Sequence, residues 1–345
     1  MSEYNQNSRP ITPFHAFPAL EEGMSLAGYA ALIAEHGLSV PAPDYLSAIG
    51  TKHKRYEMGR WRIFTPRHKP EDTLHRHLIF ALKHEGIDLA VLKALFDSIE
   101  SEAIADIVRS EPTGAYSRRV WFLYEWLLNK NLDLADATQG NFVALINDTL
   151  QYPGPSRDSK RHRIRNNLPG TREYCPLIRR TEKLDRFIGM KLSQAAIDNI
   201  GKTHADLLSR AAAFLLLKDS KASYTIEGEA PPHNRIERWG KIIGEAGQRT
   251  LSIEELEYLQ RIVIEDIRFV IPGCRVEGGF IGDHDRATGV PMPVHISARP
   301  EDLESLLSGL IETYQLLGKS DYDPCLLYTS PSPRDRSRDL VCRLL

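Results

Sequence analysis

Apolar residues recur at helical spacing in residues 81–99 and 118–137, and this spacing predicts helices in both stretches. Between residues 55 and 67 apolar and polar positions alternate, which is typical of a strand or a hairpin. Residues 19–150 are therefore expected to form a mixed, mostly helical N-terminal region. The polar, proline-bearing residues 1–18 before it are expected to be a loose arm.

A connecting region is expected at residues 151–205. It contains the Pro-Gly-Pro sequence of residues 153–155, which favours a turn. The stretch 158–165 that follows is polar and basic, so we expect a solvated loop there.

The second half carries clearer helical signals. Ser252 and Glu255 stand three residues apart, the spacing of a capping box that starts a helix. Pro300 opens another helix, and Gly318 is expected to end it. The apolar faces predicted for these two helices are Leu256, Leu259, Val263 and Ile267 for the first, and Leu303, Leu306, Leu307, Leu310 and Tyr314 for the second.

Glycine and turn-forming residues lie between these two helices. This stretch predicts a hairpin with arms near residues 275–281 and 294–297 and an exposed tip near residues 283–288. The sequence Asp283-His284-Asp285 falls at this tip, where polar side chains are ordinarily solvated.

The last 21 residues show neither helical nor strand periodicity. Residues 325–335, CLLYTSPSPRD, resemble the translation of a sequencing adapter. We therefore set residues 325–345 aside as an artefactual, poorly packed tail and expect the natural reading frame to depart from this sequence near Pro324.

Composition narrows the function classes. A net charge of −2 with 42% hydrophobic residues suits a globular protein, and it argues against nucleic acid as a partner. No apolar run approaches the roughly 20 residues of a membrane-spanning helix, so no membrane partner is expected. The N-terminus lacks the order of a secretory signal, and we expect a cytoplasmic protein.

Isolated cysteines and histidines give no metal signal. Cys175, Cys274, Cys325 and Cys342 are far apart, so they are interpreted as small core residues and not as a disulfide or zinc framework. His75 and His77 have the spacing of two metal ligands on a strand, but they lie in a helical pattern and are expected to be a surface pair. No metal residues are assigned.

One short motif changes the interpretation of the second half. Ser223 and Glu227 lie one helical turn apart, and Gly228 follows. The order of this motif, a capped helix, a glycine-rich hairpin and a leucine-rich helix resembles the Fic (Fido) family. It resembles most the class in which an inhibitory helix with the pattern [Ser/Thr]-x-x-x-Glu-[Gly/Asn] precedes the catalytic core. The resemblance covers about residues 209–324.

The resemblance implies a fold that is mainly α with small β elements. Residues 206–324 would be a partial Fic domain, an α-helical core carrying the hairpin as a flap. The flap would dock a segment of a target protein as an added strand. The flap residues implied are Arg275, Val276, Glu277, Gly278, Gly279, Phe280, Ile281, Val294, His295 and Ile296.

The resemblance also implies an activity, the transfer of AMP from ATP to a protein hydroxyl with Mg²⁺, including self-modification. Glu227 would inhibit it by pairing with an arginine that otherwise binds the γ-phosphate. The family's motif His-Pro-Phe-x-[Asp/Glu]-Gly-Asn-Gly-Arg-x-x-Arg occurs nowhere in the 345 residues. This chain is therefore expected to be inactive, with no catalytic or cofactor-binding residues and no bound cofactor of its own.

Two other classes stay open. The basic N-terminal half, with Arg55, Arg60, Arg67 and residues 157–165, is compatible with a regulatory or nucleic-acid-binding module. The flap alone is compatible with a non-catalytic protein-interaction module.

Overall fold

The structure is a computed structural model that describes Phe14, residues 17–192, 249–264 and 273–323, together with Leu326 and scattered positions between 194 and 242. The chain divides into two compact units. The first comprises residues 1–172 and 177–180, and the second comprises residues 173–176 and 181–345.

A four-stranded mixed sheet lies in the first unit. Its spatial order is β1-β2-β4-β3, in which β2 and β4 run parallel and the outer pairs are antiparallel. The pair β3–β4 is the hairpin that alternation predicts within residues 55–67. The strands are Ser25–Ala27 (β1), Leu46–Ile49 (β2), Tyr56–Met58 (β3) and Trp61–Phe64 (β4).

Five helices accompany this sheet, and α3 and α4 both pack against α5. The side chains of Thr73 and Asp88 accept backbone N–H groups at the starts of α2 and α3, so both helices begin at a capping residue. The helices are Tyr29–Glu35 (α1), Leu74–Phe80 (α2), Leu89–Ser98 (α3), Ser101–Ser110 (α4) and Ala115–Leu128 (α5). A π-helical turn, Ala81–Glu85, continues α2.

Part of the N-terminal arm is anchored. Phe14 and Phe17 are buried, and both rings approach the ring of Trp61, with centroids 5.7 and 5.0 Å away. The expectation of a loose arm over residues 1–18 is therefore wrong at these two aromatics, because each buries a large apolar surface.

The stretch 158–165 is not a solvated loop. It belongs to a three-stranded sheet of order β5-β7-β6, in which β6 and β7 form an antiparallel pair. The strands are Val143–Ala144 (β5), Arg157–Ser159 (β6) and Ile164–Asn166 (β7). Ile164 is fully buried, and this single apolar position anchors an otherwise polar strand.

A buried carboxyl group joins α1 to the π-helical turn. Glu85 Oε2 accepts the backbone N–H of Tyr29 at 2.9 Å. A Cβ atom at Gly28 would lie 2.0 Å from the same oxygen, and Gly28 has φ +60, so only glycine fits there. Burial raises the pKa of Glu85 to about 7.

The described part of the second unit is a set of helices with one hairpin. Ser252 accepts the N–H of Glu255 at 3.1 Å, as the capping box predicts. The Glu255 carboxylate does not return to the helix start but pairs with Arg249 at 3.4 Å. The elements are Glu182–Gly189 (α6), Ile253–Ile264 (α7), Phe280–His284 (β8), Pro291–Ile296 (β9), a 3₁₀ turn at Pro300–Asp302, and Leu303–Gly318 (α8).

The buried face of α8 is rotated from the predicted one. Leu310 and Tyr314 are exposed, whereas Gly309, Thr313 and Leu317 are buried. The reason is the segment at residues 173–176, which packs on α8. A Cβ atom at Gly309 would lie 2.6 Å from the Cβ of Glu173, and Thr313 Oγ1 donates to the Tyr174 carbonyl at 2.7 Å.

Helix α8 ends at Gly318, where the sequence predicts an end, but Gly318 is not a left-handed cap because its φ is not positive. The fold is mainly α with small β elements. None of the helices in the described part of the chain combines the length and apolar composition needed to cross a lipid bilayer.

Glu85→Gln should remove a pH dependence of stability. The Glu85 carboxyl stays protonated up to about pH 7 in the folded chain but ionises near its ordinary pKa of 4.5 when unfolded. Stability should therefore fall between these two pH values, by roughly 3 kcal/mol at about 1.4 kcal/mol per pH unit. Glutamine keeps the acceptor for Tyr29 and cannot ionise.

Urea unfolding at pH 5 and pH 8 measures this effect. The loss of stability between pH 5 and pH 8 should be smaller in Glu85→Gln than in the wild type. The exposed control Glu35→Gln on α1 should lose as much stability as the wild type. Equal losses in all three proteins would contradict an ionisable, buried Glu85.

Gly309→Ala and Gly318→Ala form a second matched pair, on one helix. The first methyl group collides with the 173–176 segment and should cost about 1–3 kcal/mol of stability. The second meets no atom within 4 Å and should stabilise by up to about 1 kcal/mol. Unfolding midpoints check both, and equal shifts would show that residues 173–176 do not pack on α8.

Candidate functional site

The predicted inhibitory motif, Ser223, Glu227 and Gly228, lies outside the described residues. The predicted flap is within them, although the side chains of Val294 and His295 are not. The candidate site is therefore built from the hairpin β8–β9 and the segments that hold it.

The hairpin is antiparallel, as the sequence predicts, but both arms extend further toward the tip. The first arm is Phe280–His284, where 275–281 is predicted, and the second is Pro291–Ile296, where 294–297 is predicted. Pairing begins at Phe280 with Ile296, continues with Ile281 and His295, and then shifts register at a bulge between Ile281 and Gly282. Residues 275–279 precede the strand and were wrongly included in the arm. The glycines at 278 and 279 account for this, because glycine weakens a strand.

The tip is a tight turn built around Asp285. Its Oδ1 accepts the backbone N–H groups of Ala287 at 3.0 Å and Thr288 at 2.7 Å, and also the Thr288 hydroxyl at 2.8 Å. The hydrogen bonds from Thr288 and Ala287 lower the pKa of Asp285. Gly289 has φ +68 and closes the turn. Asp285 is thus a structural acceptor. Asp283 and His284 are exposed, as predicted, but they are paired residues of β8 and not part of the tip.

Hydrogen bonds fix the base of the hairpin. Arg275 donates to the carbonyl of Glu277 at 2.8 Å and to that of Ala298. The buried Gln260 of α7 accepts the N–H of Gly273 at 2.6 Å. Arg275 therefore positions the hairpin and does not project from it toward a partner.

Both edges of this two-stranded sheet are unpaired within the described residues. The N–H of Ser297 donates to the Gly279 carbonyl at 3.0 Å, so these residues face one another in a hydrogen-bonded pair. In an antiparallel ladder the next pair, Phe280 and Ile296, turns its N–H and C=O groups outward. The outward groups are available for a further strand.

Large apolar side chains on and beside the hairpin are exposed. The exposed fractions are 88% for Val276, 57% for Val290, 50% for Met292 and 72% for Ile296. A hairpin alone is marginal in water, and a patch of this kind marks a surface that binds another chain.

A second polar cluster, in the first unit, was missed by sequence analysis. The Arg161 guanidinium donates to both Glu125 oxygens, to Asp136 and to the carbonyls of Leu132 and Leu134, at distances of 2.8–3.3 Å. His162 Nε2 lies 3.0 Å from Glu125 Oε2. The sequence signal that could have pointed to this cluster is the apolar Ile164, which stands alone in the polar stretch 158–165.

This cluster is internally satisfied. Burial opposes ionisation of Glu125, but hydrogen bonds from Arg161, Leu132 and Trp121 outweigh it and lower the pKa of Glu125. Burial lowers the pKa of His162. A cleft of about 450 Å³ lies beside Trp121 and Asp136, but Arg161 has no donor left for a ligand in it. The cluster therefore holds residues 132–136 and the β6–β7 turn on α5.

Three other expectations need correction. His77 is buried and lies 3.2 Å from Asp72, so His75 and His77 are not a surface pair. Cys274 is exposed and is not a core residue. Cys175 is half-buried, and burial raises its pKa to about 12, which keeps the thiol protonated. Cys325 and Cys342 lie outside the described residues.

The described side chains contain no group of three or more histidine, cysteine or acidic residues able to hold a metal ion. Of the tail at residues 325–345, Leu326 alone is described, and it is buried. The chain matches no protein-family model, no curated protein and no solved structure.

Proposed function

We propose that this chain is the regulatory and target-docking part of a Fic-type protein adenylyltransferase, and that the hairpin β8–β9 binds an extended segment of the target. The observation that carries the proposal is the hairpin itself: an exposed, apolar, two-stranded sheet between two helices. The order of α7, hairpin and α8 is the order that the family resemblance implies.

Docking would follow from the outward groups of Phe280 and Ile296. A target segment that aligns with either edge gains backbone hydrogen bonds without a requirement for sequence. Its side chains would contact the exposed Met292 and Ile296, which gives the apolar component of binding. The hydrogen bonds of Arg275 at the base and the turn around Asp285 limit the motion of the hairpin. They therefore lower the conformational entropy lost on binding.

Chemistry at ATP needs residues that this sequence does not contain. A base for the hydroxyl proton, backbone N–H groups for the phosphates and a carboxylate for Mg²⁺ would come from the histidine motif, which is absent from the 345 residues. No catalytic step is therefore assigned to this chain. We propose that it transfers no AMP, and that a form carrying the motif does.

Ile296→Pro tests strand addition in a form that carries the histidine motif. Proline removes one outward N–H and leaves the Gly279–Ser297 pair intact, so transfer of labelled AMP to target proteins should fall about tenfold. Ile296→Thr keeps the N–H and favours a strand, so it should lose less than about threefold.

The comparison separates two kinds of docking. Equal losses in the two variants would mean that the side chain of Ile296 is recognised and not its backbone. Unchanged transfer in both would remove the hairpin from target binding altogether.

Glu227→Gly tests the inhibitory role, again in a form with the motif. If Glu227 pairs with the arginine needed for the γ-phosphate, its removal should raise AMP transfer, including self-modification, more than tenfold, since such a pair exceeds about 2 kcal/mol. Glu229→Gly, two residues away, is the matched control and should have no effect. Equal rates for wild type and Glu227→Gly would make Glu227 an ordinary acid.

A further inference from the structure

Three cations from separate parts of the first unit surround two histidines. Arg55 lies between β2 and β3, Arg67 follows β4, and Lys83 lies in the π-helical turn; all three side chains are exposed. The imidazole rings of His68 and His84 lie 5.7 Å apart between them. We name these five residues the basic patch.

Arg55 is held in place by neutral neighbours. One of its terminal nitrogens donates to His68 Nε2 at 2.7 Å, and His68 Nδ1 lies 2.8 Å from Thr65 Oγ1. The guanidinium carbon lies 4.6 Å from the centre of the Phe64 ring. These contacts fix the orientation of the guanidinium and leave its other donors for an external anion.

No carboxylate among the described residues pairs with the patch. Among the residues that the structure describes, Arg55, Arg67 and Lys83 form no ion pair. Burial, together with the charges of Lys83 and Arg55, lowers the pKa of His84 to about 4. Burial and the charges of Arg55 and Arg67 also lower the pKa of His68. The surface is therefore positive, although the chain as a whole carries −2.

Several other arginines of the first unit are occupied by the fold. Arg60 donates to the carbonyls of Pro43 and Asp44, Arg163 donates to that of Gly140, and Arg161 is saturated. Of the basic residues that sequence analysis named for nucleic acid, the structure reserves Arg60, Arg161 and Arg163 for internal contacts, and Arg165 pairs with Asp158 at 3.4 Å. Arg55, Arg67, Arg157 and Lys160 are exposed, and the first two of these belong to the basic patch.

We infer that the basic patch binds the phosphate backbone of a nucleic-acid duplex without reading its sequence. Its cations come from three segments at the surface, which suits successive phosphates of an extended polyanion. A lipid surface fits less well, because the aromatic rings beside the patch, Phe64 and Phe80, are buried and cannot insert.

The test measures binding of the full chain to a labelled 20-base-pair DNA duplex by fluorescence anisotropy. With three phosphates neutralised, affinity should fall about fortyfold between 50 and 200 mM salt, a log–log slope of about −2.7. The triple variant Arg55→Ser, Arg67→Ser, Lys83→Ser should bind more than tenfold more weakly at 50 mM salt, with a slope near zero.

The matched control removes the same charge elsewhere on the unit, with Lys93→Ser, Arg109→Ser and Arg165→Ser. These exposed cations are ion-paired with Asp97, Asp106 and Asp158, and the control should keep wild-type affinity within about threefold. The variant Arg55→Lys, Arg67→Lys keeps the charges and should keep most of the salt slope.

Three results would overturn the inference: no binding of the wild-type chain at 50 mM salt, equal weakening in the two triple variants, or retention on phosphatidylserine vesicles without binding to the duplex. Equal urea midpoints in all variants would exclude unfolding as the cause of a loss.

Discussion

A two-stranded sheet cannot cover its own apolar side chains, and the functional proposal for this protein depends on that constraint. The hairpin β8–β9 has two unpaired edges in the described part of the chain, and Met292 and Ile296 are exposed on it. Hydrogen bonds nevertheless stabilise the hairpin at both ends, since Asp285 accepts them at the tip and Arg275 donates them at the base. A hairpin stabilised at both ends and uncovered in the middle is suited to binding another strand.

The charged side chains of the first unit contrast with the uncovered hairpin. Most buried or half-buried ions there are satisfied by the fold, and the Arg161–Glu125 pair joins α5 to the β6–β7 turn because every guanidinium donor has an acceptor. The cations near His68 and His84 form no ion pair within the described chain, and they are grouped around two histidine rings. Satisfied ions support the fold, whereas unsatisfied surface cations remain for a partner.

Local sequence patterns predicted the helices and strands better than the tertiary contacts that these elements make. The hairpins at residues 55–67 and 280–296, the cap at Ser252 and the helix from Pro300 follow from alternation, turn residues and capping chemistry. Contacts between distant residues were not predictable. The segment 173–176 packs on α8 and so changes which face of that helix is buried. Glu125 pairs with Arg161 and holds the basic stretch in a turn between β6 and β7. The local sequence pattern of α8 does not indicate the contact with residues 173–176, and the pattern around Arg161 does not indicate the contact with Glu125.

Hydrogen exchange at the hairpin tests the central claim most directly, because it needs no knowledge of the target. In the free chain, the N–H of Ser297, which donates to Gly279, should be protected, whereas the outward N–H groups of Phe280 and Ile296 should exchange at nearly the rate of an unstructured chain. Protection of Phe280 and Ile296 equal to that of Ser297 would show that another part of the protein already covers the edges. The hairpin would then be part of the core and not a docking strand.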